Sequence, residues 1–231
     1  MLLVLGMPAV ALAAQSASNN YQVNEVFFGS GGELNACSTS YCSKQSAGET
    51  AVGNTSSANY QAQAGFNTNR EPYIEFTVSN TNVDLGTLTA SSTKTATSSF
   101  SVKTYLAHGY DVVNASDAPT NGSYIMNALA VPTPSQTGVE QFGINLVANN
   151  NPITFGANLT HTPDATFGYG QVGVDYGIPD QYKYAKGDVV AMSTQSTSYT
   201  NYTISYIFNV SHVTPGGSYL FRHVLVATST F

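Results

Sequence analysis

The chain has 231 residues, room for one large or two small domains, and only 9% of them are charged against about 25% in an average globular protein. Apolar residues make up 42%, including 15 Tyr and 11 Phe, so a sizeable core can form and the composition is not that of a disordered chain. The net charge of -6, without basic clusters, argues against partners that present phosphates, namely nucleic acids and anionic membrane surfaces.

The N-terminal stretch "MLLVLGMPAVALAAQS" is apolar from residue 2 to residue 10 and then carries the small-residue pattern Ala11-Leu12-Ala13. This arrangement is typical of a secretory signal peptide, although the basic residues that usually come first are missing. The run is too short for a transmembrane helix, which needs about 20 apolar residues. We therefore predict a signal peptide, truncated at its start, over residues 1–14. The mature protein is expected to be secreted or at the cell surface, without an integral membrane span.

Residues 15–71 are predicted to form an N-terminal β-hairpin extension. The tripeptide "NYQ" occurs at residues 20–22 and again at 59–61, each time followed by an aromatic residue and a turn. Two long strands that pair with each other would explain this echo. Two copies are too few for a solenoid, which needs about three repeats or more.

The only two cysteines, Cys37 and Cys42, lie between these copies with four residues separating them. A redox Cys-x-x-Cys motif has two, and no His or acid stands beside the thiols to activate them. In an exported protein an oxidised pair is the default. We predict a disulfide between Cys37 and Cys42 at the tip of the hairpin, worth roughly 2 kcal/mol in the chain-entropy model.

Residues 72–231 are predicted to form an antiparallel β-sandwich, either a jelly roll or an immunoglobulin-like fold. Amphipathic helices are absent from the pattern, while β-branched and aromatic residues recur between Gly, Pro and Asn. Many short strands with turn signals between them are typical of sandwiches and barrels. The strand candidates are residues 73–79, 83–88, 97–105, 110–114, 125–131, 142–148 and 172–176.

The clearest strand is "YTNYTISYIFNV", residues 199–210. Its apolar residues share one face, and its polar residues share the other, which predicts one dry and one wet face. The dry face holds Tyr202, Ile204, Tyr206, Phe208 and Val210; the wet face holds Asn201, Thr203, Ser205 and Asn209. A turn at "VTPGGS" and the stretch "YLFRHVLVATSTF" follow, so we predict a hairpin between the two strands.

"GYGQVG" matches the dinucleotide fingerprint G-x-G-x-x-G at Gly168, Gly170 and Gly173. That motif requires a strand before it and a helix after it, so that the pyrophosphate meets a helix N-terminus. Here Gly177 and Pro179 follow and prevent a helix. The sequence therefore predicts no nucleotide cofactor at this place.

Candidate catalytic and metal-binding residues are few. Glu71 and Glu75 share one face of a strand but lie roughly 13 Å apart, too far for a glycosidase pair. Asp175, Asp180 and Asp188 could bind Ca²⁺ with backbone carbonyls, but they lack the spacing of a calcium loop and are also typical of solvated acids. The four histidines are scattered, without a zinc motif. We predict no cofactor, no metal and no catalytic residues.

Four tyrosines crowd the Gly-rich stretch from residue 167 to residue 188: Tyr169, Tyr176, Tyr182 and Tyr184. Exposed tyrosines would suit recognition of glycans or proteins, because the ring supplies area and the hydroxyl a hydrogen bond. The same rings could instead fill the core of the sandwich. These four residues are the candidate recognition surface.

The stretch "VDLGTLTASSTKTATSSFSVKTYLAHGYDVV" combines an apolar-Gly-Thr corner, a Ser/Thr-rich segment, an alternating strand and Gly-Tyr-x-Val. In this it resembles secreted bacterial β-sandwich surface proteins of the spore-coat-U, fimbrial-subunit and WxL families. The chain lacks a cysteine near residues 103–105, where coat and fimbrial domains often have one, and it lacks the Trp of the WxL signature. The resemblance implies an envelope or appendage component and carries over no catalytic residue.

Together these patterns predict a secreted, non-catalytic structural or adhesive component of a microbial surface. Its partners would be like subunits, other surface proteins or glycans, and the alternative function is a glycan-binding module that uses the Tyr-rich loops. If subunits assemble, the N-terminal strand "NYQVNEVFF" could add to the open sheet edge of a neighbour.

Overall fold

The computed structural model describes residues 16–17, 22–23, 31–39, 41–48, 53–56, 61–64, 72–79, 82–105, 107–163 and 165–230. The predicted signal peptide at residues 1–14, most of the segment "NYQVNEVFF" and Glu71 lie outside them. The chain divides into two compact units, residues 1–69 (unit 1) and 70–231 (unit 2). The sequence-based boundary between the extension and the sandwich lies at 71/72.

The described residues of unit 1 form three separate antiparallel pairs of strands. The strands are β1 (Ser16–Ala17), β2 (Gln22–Val23), β3 (Gly31–Cys37), β4 (Cys42–Ala47), β5 (Gly53–Ser56) and β6 (Gln61–Ala64). Gln22 pairs with Ala17 and Gln61 with Ser56, so the one described residue of each "NYQ" copy pairs locally and not with the other copy. Pairing across a short loop costs less conformational entropy than closing one long hairpin, which favours the local arrangement.

The two cysteines lie at the tip of the β3–β4 hairpin, directly opposite each other in the strand register. The backbone amide of Ser38 donates to the carbonyl of Tyr41 across the turn, at 2.7 Å. Opposed residues of an antiparallel pair have Cα atoms about 4.5–5.5 Å apart, within the range of about 4.4–6.8 Å that disulfides span. The register is therefore compatible with the disulfide, which stays a prediction.

Unit 2 is an antiparallel β-sandwich, which confirms the predicted all-β fold class. Its strands are β7 (Tyr73–Ser79), β8 (Lys94–Tyr105), β9 (Gly109–Asn114), β10 (Thr120–Asn121), β11 (Tyr124–Ile125), β12 (Thr133–Pro134), β13 (Gln141–Asn145), β14 (Thr160–Thr162), β15 (Gln171–Val172), β16 (Gln181–Tyr182), β17 (Val189–Ser193), β18 (Thr197–Asn209) and β19 (Leu225–Thr230). Two short 3-10 helices span Ala165–Phe167 and Val174–Tyr176.

Two sheets enclose the core of unit 2. Sheet I has the order β13-β18-β8-β7, with β14 also paired to β18, and sheet II has the order β15-β17-β9-β19. Between them lies a cluster of buried apolar and aromatic side chains, with Phe100, Val102, Tyr202 and Ile204 from sheet I and Tyr110, Val112 and Ala191 from sheet II. Two small pairs, β10–β11 and β12–β16, lie in the connections.

Strand β18 confirms the predicted dry face, because Tyr202, Ile204, Tyr206 and Phe208 are all buried. The predicted wet face is wrong in its second half, where Ser205 and Asn209 are buried as well. The Nδ2 group of Asn209 donates there to Ser135 and Gln141, whereas its Oδ1 is buried without a hydrogen-bond partner. A covering loop thus turns a polar face inward and supplies partners for the Asn209 donor group.

The predicted hairpin between residues 199–210 and the C-terminal strand is wrong. Strand β18 pairs with β8 on one edge and with β13 and β14 on the other, whereas β19 pairs with β9 in sheet II. No edge of β18 is free for the returning chain, so the chain crosses to the opposite sheet. Only Leu225–Thr230 of the long C-terminal stretch is strand.

The other strand predictions vary in accuracy. Residues 73–79 match β7, and 97–105 and 110–114 lie inside β8 and β9. Residues 83–88 are not a strand. The chain turns there, with the Asp84 carboxylate accepting a hydrogen bond from the amide of Gly86, whose φ is +61°. Residues 125–131 and 142–148 contain only short strand segments, and 172–176 divides into β15 and a 3-10 helix.

The glycines of "GYGQVG" allow close packing onto the sheets. A Cβ atom on Gly170 would overlap the Thr200 hydroxyl and lie 2.6 Å from the Tyr110 hydroxyl, and one on Gly173 would overlap the carbonyl oxygen of Val189. Because glycine has no side chain, the chain at Gly170 and Gly173 can pack closely against the strands of the sandwich. This steric role accounts for the motif without a nucleotide.

We expect Gly170→Ala to lower the free energy of unfolding by about 1–3 kcal/mol, because the added methyl has no space and its neighbours are buried. Gly216→Ala is the matched control, since a Cβ there meets nothing within 4 Å. Urea unfolding of both variants tests this. Equal midpoints for the two variants would contradict the steric explanation.

Candidate functional site

Three of the four predicted recognition tyrosines are core residues, which corrects the prediction. Tyr176, Tyr182 and Tyr184 are 1%, 0% and 3% exposed. Tyr169 is partly exposed, and its backbone amide donates to the Thr197 hydroxyl. The four residues therefore do not form a recognition surface.

Each buried tyrosine has a partner for its hydroxyl, which explains why the rings can lie inside. Tyr176 donates to the Asp188 carboxylate at 2.9 Å, Tyr182 to the Asn151 carbonyl at 2.7 Å and Tyr184 to the Ser116 carbonyl at 3.0 Å. Burial raises the pKa of all three phenols, and for Tyr176 the hydrogen bond to Asp188 raises it further. Their hydroxyls are neutral anchors for loops.

The Asp residues of this region take two different places. Asp175 and Asp188 come together around Lys183, whose ammonium lies 2.8 Å from one carboxylate and 2.7 Å from the other. Hydrogen bonds to Asp175 and then Asp188 raise the pKa of Lys183. Asp180 lies elsewhere and accepts hydrogen bonds from the amides of Asn150 and Asn151.

This lysine-centred cluster lines a shallow open depression with Val174, Tyr176 and Val189. Two of the three carboxylates of the calcium hypothesis, Asp175 and Asp188, face the ammonium group of Lys183, and the third, Asp180, does not. Within the described ranges, no group of three or more His, Cys, Asp or Glu is placed to hold a metal ion. The Lys183 ammonium is shared by the two carboxylates and ties the 3-10 helix at Val174–Tyr176 to the following strands.

His223 lies in an aromatic and polar environment. Its Nδ1 is 2.9 Å from the Tyr206 hydroxyl, and its Nε2 is 3.2 Å from Oδ1 of Asn114. The ring stacks on Phe221 with centroids 5.3 Å apart. Burial lowers the pKa of His223 to about 4, so the imidazole is neutral at physiological pH.

A different set of tyrosines reaches the surface, on the outward face of sheet I. Strand register places Tyr73 opposite Tyr105 and Glu75 opposite Lys103, and the β18 residue Tyr199 lies near both pairs. The Tyr73 and Tyr105 rings are 5.5 Å apart. We call the region of Tyr73, Glu75, Lys103, Tyr105 and Tyr199 the tyrosine face.

The two charged residues of the tyrosine face both contact tyrosines. The Lys103 ammonium lies 5.0 Å from the centroid of the Tyr199 ring and 5.9 Å from that of Tyr73. The Tyr199 hydroxyl donates to Glu75, and this hydrogen bond raises the pKa of the phenol. Tyr73 is 37% exposed, while Lys103, Tyr105 and Tyr199 are half-buried.

Small polar residues continue the tyrosine face along the same side of sheet I. Thr77 is paired with Ser101, Ser101 with Asn201, and Tyr199 with Thr162. The Asn201 amide donates to the Thr162 hydroxyl at 3.1 Å. This side of the sheet therefore presents aromatic rings, hydroxyls and amides with one balanced pair of charges.

Sequence reasoning missed the tyrosine face although its signal was present. Tyr73, Glu75, Lys103 and Tyr105 occupy the polar positions of two predicted strands, 73–79 and 97–105, where an aromatic residue is exceptional. Their meeting depends on the pairing of β7 with β8, which the periodicity of each strand leaves open.

Comparison with protein-family models, with curated proteins and with solved structures finds no match. No helix in the described part of the chain is both long enough and apolar enough to cross a bilayer.

We expect Lys183→Met to lower the free energy of unfolding by about 1–2 kcal/mol, because it leaves two carboxylates facing each other without their shared donor. Lys186→Met is the matched control. Its ion pair with Asp117 has side chains 55% and 62% exposed, and we expect an effect within about 0.5 kcal/mol. Urea unfolding compares them, and equal losses would argue against the cluster as a tie.

We expect His223 to make folding sensitive to acid. Its pKa is about 4 in the folded protein and about 6.5 in the unfolded chain, so the unfolded chain binds the proton first as pH falls. The stability contribution is fully present above pH 6.5 and is lost as pH falls from about 6.5 to about 4.

Between pH 7 and pH 4.5 the stability of the full chain should fall by about 2 kcal/mol more than that of His223→Gln. Urea unfolding at both pH values measures the difference. His212→Gln, at an exposed position, should behave as the parent chain does. An equal acid response in His223→Gln would rule out this histidine as the cause.

Proposed function

We propose that the chain is a secreted, non-catalytic structural or adhesive component of a microbial cell surface or appendage. The support for secretion is the leader pattern of residues 1–14 together with the scarcity of charged residues. Lys183 and His223 are engaged in structural contacts, Lys183 with two carboxylates and His223 with Tyr206 and Asn114. A rigid sandwich of this kind suits a scaffold.

The observation that carries an assembly role is the edge of sheet I. Strand β7 pairs with β8 along all seven of its residues, and in the described part of the chain it has no strand on its other edge. An unpaired edge offers backbone donors and acceptors to another strand. Glu75 is the only charged residue on β7, so little opposes such pairing.

The proposed donor is the N-terminal segment, residues 15–30, of a second copy. Its sequence "NYQVNEVFF" is rich in β-forming residues. Within the described residues, this segment has only a two-residue strand pair, Ser16–Ala17 with Gln22–Val23. So short a pairing is marginal alone, and exchanging it for a longer one on β7 is favourable.

Size-exclusion chromatography with light scattering tests this assembly on the mature chain. We expect concentration-dependent oligomers that disappear when residues 15–30 are deleted. Val78→Lys should weaken them too, because a lysine at this edge hinders strand addition. Val78 is 43% exposed but lies on the core side of β7, opposite Phe100, so thermal unfolding by circular dichroism is used to check that the variant is folded.

Val226→Lys is the matched control for the edge. Val226 is 47% exposed and lies on β19, the edge strand of sheet II. We expect its oligomers to equal those of the parent chain. A strictly monomeric parent chain would overturn the assembly proposal, and loss of oligomers in Val226→Lys but not in Val78→Lys would overturn the choice of β7.

A further inference from the structure

The outward side of sheet I has two halves. Loops cover one half, and the half that carries the tyrosine face is accessible to solvent. Toward the end of β18, Ser205 and Ile207 alternate on this side of the strand and are both 0% exposed. Around the tyrosine face, Glu75, Thr77 and Thr162 are exposed. The loops that cover one half of the sheet thus leave the aromatic half accessible.

The side chains of the open half are more polar than those of a typical protein–protein interface. The β7 and β8 residues on it, from Tyr73 to Ser79 and from Ser99 to Tyr105, include no aliphatic side chain on the outward side. The core of a stable protein interface is more apolar than this. Stacking of a second copy face to face would bury many hydroxyls with little apolar gain.

The tyrosine face is also neutral as a unit. Glu75 and Lys103 are opposite each other in the register, and both also contact Tyr199. An anionic ligand would meet Glu75, and a cationic ligand would meet Lys103. Nucleic acid is further opposed by the net charge of -6. The ligand that fits is uncharged, with flat apolar faces and many hydroxyls.

We propose that the tyrosine face binds a neutral polysaccharide chain. Sugar rings present C–H groups on their faces, which pack against tyrosine rings, and hydroxyls at their edges, which hydrogen-bond to polar side chains. Tyr73 and Tyr105 supply the rings, and Ser101, Asn201 and Thr162 supply hydroxyl and amide partners beside them. Glu75 and Lys103 are charged partners for sugar hydroxyls, and hydrogen bonds to charged groups are the stronger kind.

The extent of the face favours an oligosaccharide over a single sugar. From β7 to β14 it crosses four adjacent strands, about 14 Å at ordinary strand spacing, and from residue 99 to residue 105 it runs roughly 20 Å along β8. A flat, open surface of this size contacts several units of a chain but cannot enclose one sugar. This inference rests on the adhesive part of the proposed function and gives it a ligand class.

Native gel electrophoresis of the full mature chain in gels that contain β-1,3-glucan, mannan, xylan or hydroxyethyl cellulose tests the proposal. We expect retardation by at least one of them, unchanged by added salt because the ligand is neutral. Tyr73→Ala and Tyr105→Ala should each weaken binding about tenfold, since each removes a ring from the centre of contact.

Tyr41→Ala is the matched control, because Tyr41 is 82% exposed and lies in unit 1, outside the tyrosine face. Tyr199→Phe keeps the ring but removes the hydroxyl that holds Glu75, and we expect a smaller loss of affinity than for Tyr73→Ala. Thermal unfolding of each variant by circular dichroism establishes that the variants compared are folded.

Absence of retardation by all four polysaccharides would overturn the proposal, and so would retardation that Tyr73→Ala and Tyr105→Ala leave unchanged. Oligomers that Tyr73→Ala abolishes would instead assign the face to a second copy. Strand addition is judged separately, because deletion of residues 15–30 should remove oligomers and leave retardation in the gel, whereas Tyr73→Ala should do the reverse.

Discussion

Strand β18 is saturated with partners, and this constraint shapes unit 2. Both of its edges are hydrogen-bonded, to β8 on one side and to β13 and β14 on the other, and most of its thirteen residues are buried. The chain that follows cannot pair with it and must cross to sheet II, where β19 joins β9. The crossing closes the sandwich. It also leaves β7, on the far side of β8, as the long edge of sheet I.

A core with so many tyrosines requires polar partners inside the sandwich. The hydroxyls of Tyr110 and Tyr202 meet at 2.6 Å between the two sheets, and Tyr202 also donates to the carbonyl of Gln171. Burial is the main reason that the pKa values of both phenols are raised, so the pair is neutral over the whole physiological range. Because the chain has few charged residues, buried tyrosine hydroxyls supply polar contacts that ion pairs supply in other proteins. Most of the surface buried in the core is therefore apolar, and the tyrosine hydroxyls within it form hydrogen bonds.

Periodicity predicts which segments are strands, and it does so well for β7, β8, β9 and β18; for β18 it also predicts the dry face. It does not predict which strands pair. A turn between two strand patterns predicts a hairpin between residues 199–210 and the C-terminal stretch, but both edges of β18 are occupied by other strands. The tyrosines show the same limit. Tyr176, Tyr182 and Tyr184 lie in Gly-rich sequence typical of exposed loops but are buried, whereas Tyr73 and Tyr105 lie in strands and reach the surface. Exposure depends on register and on covering loops, and neither is encoded in a local pattern.

The two proposed activities share strand β7, and their combination has a physical consequence. A donor strand that adds to β7 would extend sheet I beside Tyr73, so the tyrosine face would continue from the acceptor onto the donor strand rather than be buried by it. Edge pairing uses backbone groups in the plane of the sheet, while the face uses side chains that stand perpendicular to it. Assembly would then align several such faces on one array. A polysaccharide that contacts successive faces gains avidity from their high effective concentration, and this can make weak single contacts adhesive without any change in the site.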